Sequence, residues 1–214
     1  MMQTASWTRT GFGTAKRTVS SARGLTIIEL LLVVALFGVL AAMSAPSIAT
    51  LLARKRVDGT AQEVASTVRY ARALRLQSPQ RTQIVYFQIS GGTGFTCAAV
   101  FMGLDETACD CGLAPAATCT TNALLPQQPE ILRVLQSQDS QDVRITPTAS
   151  SASHLSFDRY AALPSPVGST MSATVSSNRG GSLRVDIGAT GLPVICEIRG
   201  SSGQATHPHY PACT

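Results

Sequence analysis

Histidine is scarce in this chain of 214 residues: only His154, His207 and His209 are present, two of them within the last eight positions. No Gly-x-Ser-x-Gly, no phosphate-binding loop and no His-Glu-x-x-His occurs, so hydrolase, nucleotide-dependent and zinc-protease chemistry have no constellation to rest on. Gly91-Gly92-Thr93-Gly94 reads as a tight turn and not as a phosphate cradle, because no helical pattern follows it. His207-Pro208-His209 has the donor type for a metal, but a surface tail with two histidines seldom holds one. The expectation is a chain that is not an enzyme and carries no metal or cofactor.

Acidic residues are absent from the first 28 positions, where Arg9, Lys16, Arg17 and Arg23 supply most of the formal net charge of +5. Between Leu51 and Arg81 seven Lys or Arg stand against Asp58 and Glu63, whereas from Gly91 onward six Arg stand against nine acids. Charge is therefore organised lengthwise, and a partner drawn by charge must meet the N-terminus or a local patch. With 44% apolar and 14% charged residues, disorder over the whole length is excluded.

Cysteine is missing before position 97 and then occurs at Cys97, Cys109, Cys111, Cys119, Cys196 and Cys213. An even count in a region poor in His suggests disulfides formed in an oxidising compartment. The competing reading is a thiolate metal site around Cys109-Asp110-Cys111, although structural zinc usually uses wider pairs. Cys196 and Cys213 stand alone at the C-terminal end, and joining them would tie down a tail with little else to bury. The other four would pair among themselves, with Cys109 and Cys111 too close to bond each other.

What the sequence does have is a long apolar segment. Leu30 to Met43 runs for 14 residues without a polar side chain, and with Leu25–Ile28 before it and Ala45–Leu52 after it the segment is long enough for a bilayer core of ~30 Å. Glu29 alone interrupts it, and an acid so placed has by default a partner or a function. An ordinary secretory signal cleaved near Ala41–Ala45 is the alternative reading. Pro46 should kink or open the helix, because it lacks an N–H and clashes with the preceding turn.

Val57, Ala61, Val64, Val68 and Ala71 then form a stripe of helical period, and Arg69 and Arg72 lie beside it as one basic patch. Pro79 predicts a helix end by Ser78. Beyond it the period becomes two. Strands are expected at 83–89, 95–101, 131–135, 143–146, 154–157, 171–175, 183–187 and 194–198, which reads as antiparallel β. The predicted fold class is α+β: a long N-terminal transmembrane and amphipathic helix packed on an antiparallel β-rich head.

The order basic leader, Arg23-Gly24, then Leu25-Thr-Ile-Ile-Glu-Leu30 resembles the class III signal of type IV pilins and type II secretion pseudopilins. Position 25 has Leu where that family more often has Phe. The stretch from Val68 to Phe87, with its Ala-Arg pair leading into the first strand, and more loosely Phe157-Asp158-Arg159 with Leu183 to Gly191 and Cys196, are similar to the GspH/FimT family. The resemblance implies a pilin-like fold and a cut after Gly24 by the prepilin peptidase, with N-methylation of Leu25. It also implies pairing of Glu29 with the new α-amino group of a neighbouring subunit, and helix distortion at Gly38 and Pro46.

The domains would be a leader at 1–24, a membrane helix at 25–52, an amphipathic helix at 53–78, and a periplasmic head at 79–214 with a Cys-containing insert at about 103–129. The partners implied are other pilins or pseudopilins, the peptidase and the bacterial inner membrane. The role implied is assembly of a type IV pilus or a type II secretion pseudopilus, which share this N-terminal design. A DNA receptor for natural transformation is the alternative, with contact through Arg69 and Arg72, and a single-span periplasmic protein is a third. DNA is the less favoured of the partners: Gly191 to Cys196 lacks the Gly-Arg-x-Arg motif of DNA-binding relatives, and the one basic cluster is Arg69, Arg72, Arg75 and Arg81.

Overall fold

Thr26 starts the helix. Its hydroxyl accepts the N–H of Glu29 at 3.3 Å and its carbonyl accepts the N–H of Leu30 at 3.2 Å, the Thr-x-x-Glu arrangement that satisfies donors a helix start leaves open. The helix, α1, covers Ile27–Gln77. The computed structural model describes residues 26–77, 83–91, 95–112, 118–119, 128–138, 142–148, 153–158, 163–200 and 205–214. The leader, Gly24, Leu25, Arg81 and much of the expected insert lie outside these.

The chain divides into two compact units after Met43. In the first, every described residue from Thr26 to Met43 is exposed. Taken singly, neither Ile27–Met43 nor Ser47–Gln77 is long and apolar enough to cross a membrane, whereas the pair meets the requirement of length and composition. At 1.5 Å per residue the first stretch reaches only about 25 Å, and the second becomes charged at Arg54.

The second unit is a helix on antiparallel sheets, so the chain is α+β. Among the described residues, eleven strands follow α1: β1 (Ile84–Gly91), β2 (Phe95–Gly103), β3 (Cys109–Asp110), β4 (Thr118–Cys119), β5 (Glu130–Gln138), β6 (Arg144–Pro147), β7 (His154–Phe157), β8 (Pro164–Ser165), β9 (Met171–Ser177), β10 (Gly181–Ile187) and β11 (Pro193–Glu197). They form a five-stranded sheet in the order β5-β2-β1-β7-β8, a four-stranded sheet in the order β11-β10-β9-β6, and the β3-β4 pair. The eight strands expected from period-two patterning are all present. The three that sequence patterning missed, β3, β4 and β8, have two residues each, too few to show a period.

One core joins the helix to both sheets. Val57, Ala61, Val64, Val68 and Ala71 are fully buried against Val85, Phe87 and Ile89 of β1, Ile145 of β6, Val175 of β9 and Val185 of β10. Burial of each Val, Ile or Phe side chain among them contributes about 1.5–3 kcal/mol. Side chains alternate along a strand, so β1 also has a second face, where Tyr86 and Phe101 stack at 5.2 Å beside Cys109. The β3-β4 pair borders this face: Gln88 Oε1 accepts the N–H of Cys111 at 3.2 Å, and Gln88 Nε2 donates to Asp110 at 3.3 Å. The described part of the expected insert is thus a structural cover of the sheet. At the end of α1 the buried Arg75 donates from Nη1 to the carbonyl of Gln83 at 2.9 Å, fastening the helix to the start of β1.

Candidate functional site

The N-terminal helix is the first candidate. Its large side chains are exposed, with Ile27 at 80%, Phe37 at 68% and Met43 at 76%, and Glu29 is the one ionisable residue between Thr26 and Met43. Gly38 has open space where a Cβ would be, which keeps that face flat. Pro46 falls at the junction of the two helical stretches, and its side chain lies outside the described residues. A helix apolar on all sides needs an apolar environment, either lipid or other helices.

Of the four arginines of the basic cluster, Arg69 and Arg72 keep exposed surface, Arg75 does not, and Arg81 lies outside the described residues. Arg69 is exposed, Arg72 is half-buried with a buried Nε that has no hydrogen-bond partner, and Arg75 is withdrawn into the head. Arg75 therefore cannot join a surface cluster, which corrects the expectation of a contiguous basic group at this end of the helix. Arg133 of β5 lies over the Tyr70 ring at 6.0 Å, donates to Ser66 at 3.3 Å and approaches Glu63 at 4.0 Å, which links sheet to helix on that side.

All six cysteines are paired, as Cys97–Cys111, Cys109–Cys119 and Cys196–Cys213. No thiolate remains for a metal at Cys109-Asp110-Cys111. The first bridge ties the segment after β3 to β2, the second joins β3 to β4, and the third joins β11 to the C-terminal tail.

That tail holds the feature that sequence reasoning missed. Glu197, 1% exposed, accepts at Oε1 from the hydroxyl of Thr206 at 3.0 Å and the N–H of His207 at 2.6 Å, and also from the N–H of Thr206. Its other oxygen is buried, with Arg199 Nε at 3.8 Å. Its backbone N–H donates to the carbonyl of Pro211 at 2.8 Å, and its carbonyl accepts from Cys213 at 3.0 Å. Burial alone would raise the carboxyl pKa, but the hydrogen bonds from His207 and Thr206 outweigh it and hold the pKa below the usual range.

Around this carboxylate the tail closes on the head. His207 is buried with Nε2 donating to the carbonyl of Gly180 at 2.8 Å, while His209 is exposed. The two histidines thus do not form the metal pair considered from sequence. Tyr210 donates its hydroxyl to Asp58 of α1 and accepts from Gln62 at 3.1 Å. Burial first and the Asp58 carboxylate second raise its pKa. The tail buries little, His207 being the one buried residue among 205–214, yet it bonds to a strand, a hairpin and the helix at once. Glu197 gave no signal in the sequence, because its partners are assembled by a return of the chain.

His154 is half-buried, with Nδ1 3.0 Å from the hydroxyl of Ser153 and its ring edge-on to Phe101 at 6.4 Å. Burial lowers its pKa against the opposing effects of Glu106 and Asp110, and it packs as a structural ring. Among the described residues no group of three or more His, Cys, Asp or Glu is placed to hold a metal ion. Compared with models of protein families, with curated proteins and with solved structures, the chain matches none. The resemblance to GspH/FimT pilins thus rests on the sequence motifs themselves.

Proposed function

We propose that this chain is a minor pilin or pseudopilin of the GspH/FimT kind, cut after Gly24, held in the inner membrane by its apolar helix and packed helix to helix into a pilus or pseudopilus. The observation that carries the reading is the capped helix from Thr26 to Met43, exposed along its whole length, with Glu29 its only ionisable residue. An exposed helix of this kind is driven into lipid or onto other helices, and a lone carboxylate three residues inside its cap provides a specific partner for a cation. The rest of the chain is consistent with a periplasmic head: a small β-rich unit closed by three disulfides.

The DNA-receptor alternative is weakened by the burial of Arg75, because a DNA surface needs several cations that reach phosphates together. Substitution Glu29→Ala tests the assembly reading. The variant is expected to insert in the membrane and fold its head normally, yet to be depleted at least about fivefold from sheared or co-purified filaments, about 1 kcal/mol of lost pairing. Equal amounts of variant and wild type in filaments would refute it. N-terminal mass spectrometry of the same material should find Leu25 as the first residue, and an end near Ala45 would establish an ordinary signal peptide instead.

A further inference from the structure

We propose that the cleft between the start of the head's helix and the β9–β10 turn binds the phosphate headgroup of an anionic phospholipid. This rests on the reading that the apolar helix enters a membrane. The sequence changes character within one turn: Ile48, Leu51 and Leu52 are more than half exposed, and Arg54, Lys55 and Arg56 follow at once, all exposed. Ala49, Leu52, Ala53 and Arg56 are spaced i, i+3, i+4 and i+7, so they share one helix face with the cation at its far end.

The head supplies the opposite wall. A Cβ on Gly180 would lie 2.6 Å from the carbonyl oxygen of Ala53, so only glycine lets this turn rest on the helix backbone. That close approach brings Asn178 and Arg179 to the same cleft as Arg56, with a volume of about 530 Å³ and an apolar floor of Ala49 and Leu52. Asp142 is the acid lining it, and its Oδ2 already accepts the hydroxyl of Ser177 at 2.9 Å. Two guanidinium groups against one carboxylate leave an excess of positive charge beside the apolar Ala49 and Leu52. Guanidinium groups suit phosphate oxygens by shape as well as charge, and long basic side chains at the end of an apolar span reach the headgroup layer.

Inorganic phosphate shares the headgroup's charge but has nothing to place on the apolar floor, and this difference separates the two sources. The full chain, purified in mild detergent micelles doped with equal phosphatidylglycerol and phosphatidylcholine, is analysed by native mass spectrometry for retained lipid. Wild type is expected to retain phosphatidylglycerol about tenfold over phosphatidylcholine, Arg56→Ala/Arg179→Ala to lose most of that preference, and Arg56→Lys/Arg179→Lys to keep much of it. Both arginines are exposed, so these variants should keep the wild-type melting temperature. Equal retention of the two lipids, an unchanged preference in the alanine variant, or displacement of the lipid by inorganic phosphate at the same concentration would overturn the proposal. Reconstitution into neutral phosphatidylcholine vesicles followed by alkaline carbonate extraction reports on membrane entry alone. Release of wild type there would refute the membrane reading, whereas firm insertion without phosphatidylglycerol preference in micelles would refute only the cleft.

Discussion

Glu197→Gln removes a charge at the centre of the C-terminal closure while keeping an oxygen in place. Three hydrogen bonds converge on Oε1, from Thr206 N–H, Thr206 hydroxyl and His207 N–H. A bond to a charged group contributes about 1.5–3 kcal/mol and a neutral one about 0.5–1.5, so neutralisation weakens the set by about 3 kcal/mol. Release of a buried charge works in the opposite direction. The depressed pKa shows which effect is larger, because the bonds favour the carboxylate by more than burial disfavours it. A net loss of about 1–2 kcal/mol follows, or a fall in Tm of about 2–8 °C for a unit of this size.

The dependence on pH has a definite sign. A folded-state pKa below the unfolded value means that the carboxylate stabilises fully above about pH 4.3, the ordinary glutamate value, and that this contribution is lost as pH falls through the lower folded value. Wild type and variant should therefore differ at pH 7 and converge in acid. Circular dichroism melts of the full chain in mild detergent, at steps from pH 7 to pH 3, measure both. A variant as stable as wild type at pH 7, or a difference that persists undiminished at pH 3, would refute the reasoning.

Two further substitutions probe the same architecture. Cys196→Ser/Cys213→Ser opens a bridge of sequence separation 17, which should lower stability by about 3 kcal/mol in the chain-entropy model. The remaining tail contacts should preserve the native fold, so a melt within error of wild type would contradict this role of the bridge. Gly180→Ala places a methyl 2.6 Å from the Ala53 carbonyl oxygen and should cost about 1–3 kcal/mol as hairpin and helix part. An unchanged melt would show that the turn does not bear on the helix.

The helix, the eight longer strands and the buried stripe from Val57 to Ala71 were legible in the sequence. Each depends on local periodicity, which acts through neighbours within a few residues. The disulfide between Cys196 and Cys213 was legible for a related reason: two cysteines isolated at one end leave few choices. Tertiary structure alone decided the rest. Arg69, Arg72 and Arg75 look alike at helical spacing, and only the position of the Gln83 carbonyl and the sheet edge separates a buried anchor from an exposed cation. Glu197, His207 and Tyr210 acquire their roles from Thr206, Gly180 and Asp58, up to 152 residues away in sequence. Such contacts form only when strands pair and the chain returns on itself, and a one-dimensional pattern carries no record of which distant groups will meet.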